Sequence, residues 1–96
     1  MRVLIRQPGD ESFRTILVPN KLGLLQDLVD GPIETVTIAT DCCLICNEEG
    51  RIRGLEHNCY FCGIGFVGTI LVVGIDGEEF TDCPLSVDMA NSEVEE

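Results

Sequence analysis

The run FVGTILVVGI, residues 66–75, constrains the fold more than any other part of the chain. It carries no charge, is rich in β-branched residues and is apolar at successive positions, a pattern typical of a strand buried on both faces. We therefore predict that it forms the central strand of a sheet.

The whole apolar run from residue 64 to 75 is interrupted by glycines and is shorter than the ~18 residues of a membrane span. We expect no membrane span. The start of the chain lacks the apolar segment of a signal peptide, which favours a cytoplasmic protein.

The remaining elements are shorter and follow from local patterns. RVLIR and FRTILVP flank a polar turn and predict a β-hairpin, and Asn20 is a suitable N-cap for a helix with Leu22, Leu25 and Leu28 on one face. IETVTIAT and CCLIC predict a third and a fourth strand, and RIRGLE could continue the pairing before the irregular HNCYFCGIG. The order β-β-α-β-β-(β)-β predicts an α+β fold with a mixed or antiparallel sheet and one helix packed across it, with a β-grasp-like topology as the simplest member.

The length of 96 residues fits one domain, and the 45% hydrophobic content supports a packed core. We place this α+β domain at residues 1–85. Residues 86–96 are polar and acidic, and we expect them to form a mobile tail.

The charge is strongly negative and unevenly placed. The net charge is −11, and residues 41–96 hold twelve of the 17 acidic residues but only two basic ones, Arg51 and Arg53. Such a field repels phosphate backbones and anionic membranes, so we expect no direct contact with nucleic acid or membrane.

Two Cys-x-x-Cys pairs, Cys43/Cys46 and Cys59/Cys62, are separated by twelve residues, which is close to the spacing of a zinc ribbon. The glycine after Cys62 suits a metal-binding turn. CLIC, however, lies in a predicted strand, where residues three apart point to opposite faces. We therefore favour core cysteines and no cofactor, and we keep as an alternative a module stabilised by zinc on all four of these cysteines. His57 could replace one ligand.

The cysteines do not form a recognisable catalytic set. Cys59 or Cys62 with His57 would place a thiol near a base, but no third orienting group follows at a recognisable spacing. The adjacent acidic residues Glu48/Glu49 and Glu78/Glu79 are typical of solvated turns. The sequence therefore favours a binding protein over an enzyme.

Four segments carry a resemblance to a known family: VLIRQPG, LGLLQDLVDGPIE, LICNEEGRIRGLEHN and FVGTILVVGIDGEEFTD. Together they resemble small proteins of phages, plasmids and Firmicutes that are known only as a domain of unknown function. The family typically has Leu-Pro-x-Asn after the NEEG turn. Here Asn58 occupies the asparagine position, and Glu56-His57 replaces the proline-containing pair. The resemblance implies a one-domain α+β protein, often encoded on mobile elements, and carries over no catalytic or metal residue.

These observations lead to one functional hypothesis and two alternatives. We expect a non-enzymatic accessory protein of a phage or mobile element that binds a host or phage protein or a small ligand, with host defence as the context. Loops on a rigid sheet are where binding residues tend to lie. The predicted binding residues are therefore Asn47, Glu48, Glu49, Asn58, Asp76, Glu78, Glu79 and Phe80. The alternatives are the zinc module and an acidic DNA mimic that blocks a nucleic-acid-binding enzyme. A homo-oligomer is left open.

Overall fold

The computed structural model describes residues 1–96 and shows nine strands in two antiparallel sheets with two helices. In chain order the elements are β1 (Arg2–Arg6), β2 (Arg14–Leu17), α1 (Leu22–Val29), β3 (Ile33–Ala39), β4 (Cys42–Asn47), β5 (His57–Phe61), β6 (Ile64–Val67), β7 (Ile70–Asp76), β8 (Glu79–Thr81), α2 (Val87–Asn91) and β9 (Val94–Glu95). The first sheet has the order β2-β1-β7-β4-β3, with β8 also paired to β7, and the second has the order β6-β5-β9. The predicted α+β class is confirmed. Neither helix has both the length and the apolar character needed to cross a membrane.

Strand β7 is the centre of the first sheet and pairs with β1, β4 and β8. Its residues 70–74 are buried, which confirms the predicted central strand. The predicted run is nevertheless split. Gly68 has a φ of 72°, and the residues before it form β6 in the second sheet. Glycine is favoured there because this φ strains any residue with a side chain, and a Cβ on Gly68 would also require Cδ1 of Leu55, 2.8 Å away, to move.

The first sheet is covered on both faces, and this explains why its central strands are apolar throughout. One face packs on α1, whose residues Leu25 and Val29 join the strands in one core. The other face packs on the second sheet and α2, and includes Phe61, Phe66 and Ala90. All six residues of β4 are buried as a result.

Helix α1 begins after Lys21, not after the predicted cap Asn20, and its N-cap makes no side-chain hydrogen bond. The helix is therefore held by packing rather than by capping.

The second sheet is the main departure from the predicted topology. HNCYFCGIG, predicted to be irregular, forms the β5–β6 hairpin, whereas RIRGLE lies in a turn and forms no strand. A β-grasp-like topology is not confirmed, since that prediction assumed a single sheet. The hairpin was missed because His57, Asn58 and Gly63 interrupt any alternating pattern, and its strands are stabilised by tertiary packing instead.

Residues 86–96, predicted to be a mobile tail outside the domain, are folded onto it. Ser86 caps α2 by accepting a hydrogen bond from the Met89 amide at 3.1 Å. Ala90 is fully buried, and β9 pairs with β5. A few small apolar side chains anchor this otherwise polar segment, so hydrophobic patterning offers no signal for it.

Candidate functional site

A cleft of about 260 Å³ opens between the two sheets, on the side where β3 and β6 are the edge strands. The turn at residues 48–56 closes one end of it. We call this space the inter-sheet cleft. It is lined by Glu34, Val36, Cys46, Asn47, Glu48, Arg51, Ile52, Ile64, Gly65, Phe66 and Val67.

The rim of the inter-sheet cleft exposes apolar side chains. Ile52 is 91% exposed and Ile64 is 43% exposed, although both belong to a hydrophobic residue type. Arg51 fixes the turn against β6 by donating from Nη2 to the Gly65 carbonyl at 2.7 Å. The rim is therefore a positioned apolar surface that a bound molecule could cover.

The polar groups of the cleft are mostly acidic. Glu34 and Glu48 are exposed, and neither takes part in an ion pair. Cys46 lies behind Glu34, with 3.9 Å between Sγ and Oε2. Burial, reinforced by the Glu34 carboxylate, raises the pKa of the Cys46 thiol to about 11. The thiol stays protonated near neutral pH, so the cleft offers carboxylates and apolar surface rather than a reactive thiolate.

Asn47, predicted to bind a ligand, supports the cleft from inside. Its side chain is 4% exposed. The amide Nδ2 donates to the carbonyls of Val29 and Asp30 at the end of α1, at 3.0 and 2.9 Å, and Oδ1 accepts from the Glu49 amide at 2.7 Å. These bonds join the helix end to the NEEG turn and leave only Glu48 and Glu49 facing solvent there.

Asn58 is also buried, and it ties the two sheets together. Nδ2 donates to the carbonyls of Arg6 and Gly68, both at 2.8 Å, and Oδ1 accepts from Nη1 of Arg6 at 2.6 Å. The Arg6 guanidinium, 1% exposed, also forms an ion pair with Glu96 at 2.9 Å. The contacts of Asn58 are structural ones.

The remaining predicted residues lie at the other end of the first sheet. In the β4–β7 register Ile45 pairs with Leu71 and Cys42 with Gly74. Because the two strands are antiparallel, Asn47 at the end of β4 and Asp76 at the end of β7 lie at opposite ends of the sheet. Asp76, Glu78 and Glu79 are exposed there. Phe80 packs on the core beneath α1, and its carbonyl accepts from Asn20 Nδ2 at 2.9 Å. The structure therefore does not bring the two predicted groups together.

A family model described as a domain of unknown function (DUF3846) matches residues 1–93. The chain belongs to the DUF3846 family. The match spans the first sheet, the β5–β6 hairpin, the inter-sheet cleft and α2. No curated protein and no solved structure matches this chain.

The cysteines of this DUF3846 domain are spread over separate environments. Cys43 packs on the α1 side of the first sheet and Cys46 on the opposite side, which confirms the prediction from strand alternation. Cys59 is buried between the sheets, whereas Cys62 is exposed in the β5–β6 turn. The structure contains no group of three or more His, Cys, Asp or Glu side chains placed to hold a metal ion. His57 lies beside Tyr60, with 5.3 Å between the ring centroids.

Of the eleven residues that line the cleft of the DUF3846 domain, only Asn47 and Glu48 are among the predicted binding residues. The additions that matter most to the rim are Glu34, Arg51, Ile52 and Ile64. Glu34 lies in a strand, and the cleft brings it close to residues that are twelve or more positions away in the sequence. One signal was available. Ile52 is an apolar residue between two arginines in a charged turn, and such a residue is a candidate for an interaction surface.

Proposed function

We propose that this protein is an intracellular accessory protein of a phage or mobile element that acts by binding a protein or a small ligand. The observation that carries the proposal is the inter-sheet cleft, whose rim combines exposed Ile52 and Ile64 with the unpaired carboxylates Glu34 and Glu48. The resemblance of the chain to small proteins of phages and plasmids supports the genetic context. A host protein involved in defence is the first class of partner to test.

The composition of the cleft supports binding over catalysis. Its apolar rim can be desolvated by a partner, and its acidic groups can select the charge of that partner. Cys46 is the only nucleophilic side chain among the lining residues, and its raised pKa keeps the thiol protonated. A cleft of this kind suits recognition of a surface or a segment.

The test is a pull-down from host lysate followed by reconstitution with the purified partner. In the cleft variant, Ile52→Ser is combined with Ile64→Ser, which replaces two exposed apolar side chains and leaves the buried core intact. The control combines Leu17→Ser with Leu22→Ser, since these residues are 80% and 57% exposed and do not line the cleft. We expect the cleft variant to lose the partner and the control to retain it. A partner that binds both variants equally would contradict the proposal.

The acidic DNA mimic remains a second candidate because of one feature of the surface. Ion pairs engage only three acidic side chains, those of Asp10, Asp30 and Glu96, out of 17. The other carboxylates leave a strong negative field. This candidate predicts binding to a basic enzyme that weakens steeply with added salt and is unaffected by the two cleft substitutions.

A further inference from the structure

Strand β3 is an open edge of the first sheet and runs along the inter-sheet cleft. It pairs with β4 on one side only. Its seven residues, IETVTIA, include five that are β-branched, and they span roughly 23 Å at ~3.3 Å per residue. An edge of this length presents a row of backbone donors and acceptors that another strand can pair with.

The other edge beside the cleft is less available. Strand β6 has four residues, and the carbonyl of Gly65 already accepts from Arg51 at 2.7 Å. The turn at residues 48–56 therefore covers part of this edge. Of the two edges that border the cleft, β3 is the one that can accept a new strand.

The charges on both sides of β3 select the partner. Glu34 and Glu48 face the inter-sheet cleft. On the α1 side a shallow hollow of about 440 Å³ borders the start of β3 and includes Asp27 and Asp30. Of these four acids only Asp30 forms an ion pair, with Arg53. A segment lying along β3 therefore meets uncompensated negative charge on either side.

We propose that an extended segment of a partner protein, with alternating apolar and basic residues, pairs with β3 as an additional strand of the first sheet. Alternate side chains of a strand point to opposite faces, so the apolar side chains enter the inter-sheet cleft beside Val36 and the basic ones face the α1 side. This inference rests on the proposed function, because it uses the same cleft, and it specifies the class of partner and its mode of binding.

The probe is a capped nine-residue peptide of alternating lysine and valine, titrated into ¹⁵N-labelled protein. We expect the amide signals of cleft residues to shift. We also expect amides within Ile33–Ala39 to exchange with solvent roughly tenfold or more slowly when the peptide is bound, because open-edge amides gain partners. Two matched peptides serve as controls: in one the backbone amides of the lysines are N-methylated, and in the other those of the valines are. One of them should bind at least roughly tenfold more weakly, because its methylated amides are the ones that face β3.

The charge requirement is tested with a matched pair of protein variants. Asp27→Lys, in the α1-side hollow that the lysines face, should weaken binding of the lysine-valine peptide roughly 3- to 10-fold. Glu11→Lys changes the net charge equally at an exposed turn away from the cleft and should have a smaller effect.

Three results would overturn the inference, and each leaves the proposed function open to its own test. The peptide could shift cleft signals without protecting β3 amides, which would indicate binding through side chains alone. It could fail to bind while the natural partner still requires Ile52 and Ile64. The β3 amides of the free protein could become protected as its concentration rises, which would show that a second copy of the chain occupies the edge.

Discussion

Asn58 and Arg6 form a reciprocal pair across the two sheets: Asn58 accepts from the Arg6 guanidinium at 2.6 Å and donates to the Arg6 carbonyl at 2.8 Å. Arg6 is the only basic side chain buried in the core, and its Nε has no partner. The Arg6 guanidinium is therefore a desolvated charge that is balanced by the Glu96 carboxylate and whose Nη1 donates only to Asn58. A buried charge that loses its partner is strongly destabilising.

We predict that Asn58→Ala lowers the free energy of unfolding by about 3 kcal/mol, because it removes the side-chain acceptor of a buried guanidinium and the donor to two buried carbonyls. Urea denaturation measures this loss. Glu95→Gln is the control, since that side chain is exposed, takes part in no ion pair and should change the free energy of unfolding by less than about 0.5 kcal/mol. Equal urea midpoints for wild type and Asn58→Ala would show that Asn58 is free to serve as a binding residue.

Asn47→Ala should destabilise the end of α1 selectively. The substitution removes two hydrogen bonds to helix-end carbonyls and one from the Glu49 amide, and we expect a cost of about 2 kcal/mol. Hydrogen exchange should become faster in α1 and in the NEEG turn, with β7 amides unchanged. The control is Asn20→Ala, which removes one exposed bond to the Phe80 carbonyl and should cost less than about 1 kcal/mol. Uniform loss of protection across the chain would argue against a local role.

The sequence predicted those parts of the fold that depend on local periodicity. β7 is apolar on both faces, and Cys43 and Cys46 alternate across β4, so their burial could be inferred from spacing alone. The second sheet could not be predicted in this way. Its strands contain His57 and Asn58, and Asn58 is buried only because Arg6, 52 positions away, supplies its partner.

The candidate site was harder to predict for the same reason. Asn47 and Asn58 are typical of exposed turns, and nothing in the local pattern indicates that a helix end and a buried arginine bond to them. Glu48, a predicted binding residue, lines the cleft from its turn, whereas Glu34 and Ile64 come from edge strands of different sheets. Only the packing of the two sheets brings such residues together.

The buried cysteines should make the fold sensitive to alkaline pH. Burial raises the pKa of Cys42 to about 12 and those of Cys43 and Cys46 to about 11, from 9.0. Between these values the thiols are neutral in the folded state and ionise on unfolding, so the unfolded state binds fewer protons and stability falls as pH rises. In this window each thiol should lower the free energy of unfolding by roughly 1.4 kcal/mol per pH unit, and the three together should lower it by roughly 4 kcal/mol per pH unit.

Urea midpoints measured from pH 8 to pH 10.5 test this dependence. Cys43→Val removes one titrating thiol from a buried apolar site, and it should reduce the slope by roughly 1.4 kcal/mol per pH unit. A stability that is constant across this range would contradict the prediction, as would a Cys43→Val variant with an unchanged slope.

Chelation should leave the fold intact. The thiols of Cys43 and Cys46 lie on opposite faces of β4, so one tetrahedral site could include both only if the strand were disrupted. We expect the same Tm with and without EDTA for protein purified without a chelator, and elemental analysis of the same sample measures its zinc content. Stoichiometric zinc together with a large fall in Tm on chelation would favour the zinc-stabilised alternative.

Two glycines should respond in opposite ways to the same change, Gly→Ala. At Gly74, at the centre of the first sheet, a Cβ would lie 2.1 Å from the carbonyl oxygen of Asp82, and the backbone cannot move away without breaking the β7–β8 pairing. At Gly23, inside α1, a Cβ meets nothing within 4 Å. Gly74→Ala should therefore destabilise the protein by about 2 kcal/mol or more through overpacking, whereas Gly23→Ala should stabilise it by about 1 kcal/mol through helix propensity. Thermal unfolding of the two variants beside wild type measures both signs, and a Gly74→Ala variant as stable as wild type would mean that β8 does not pack against β7 in this way.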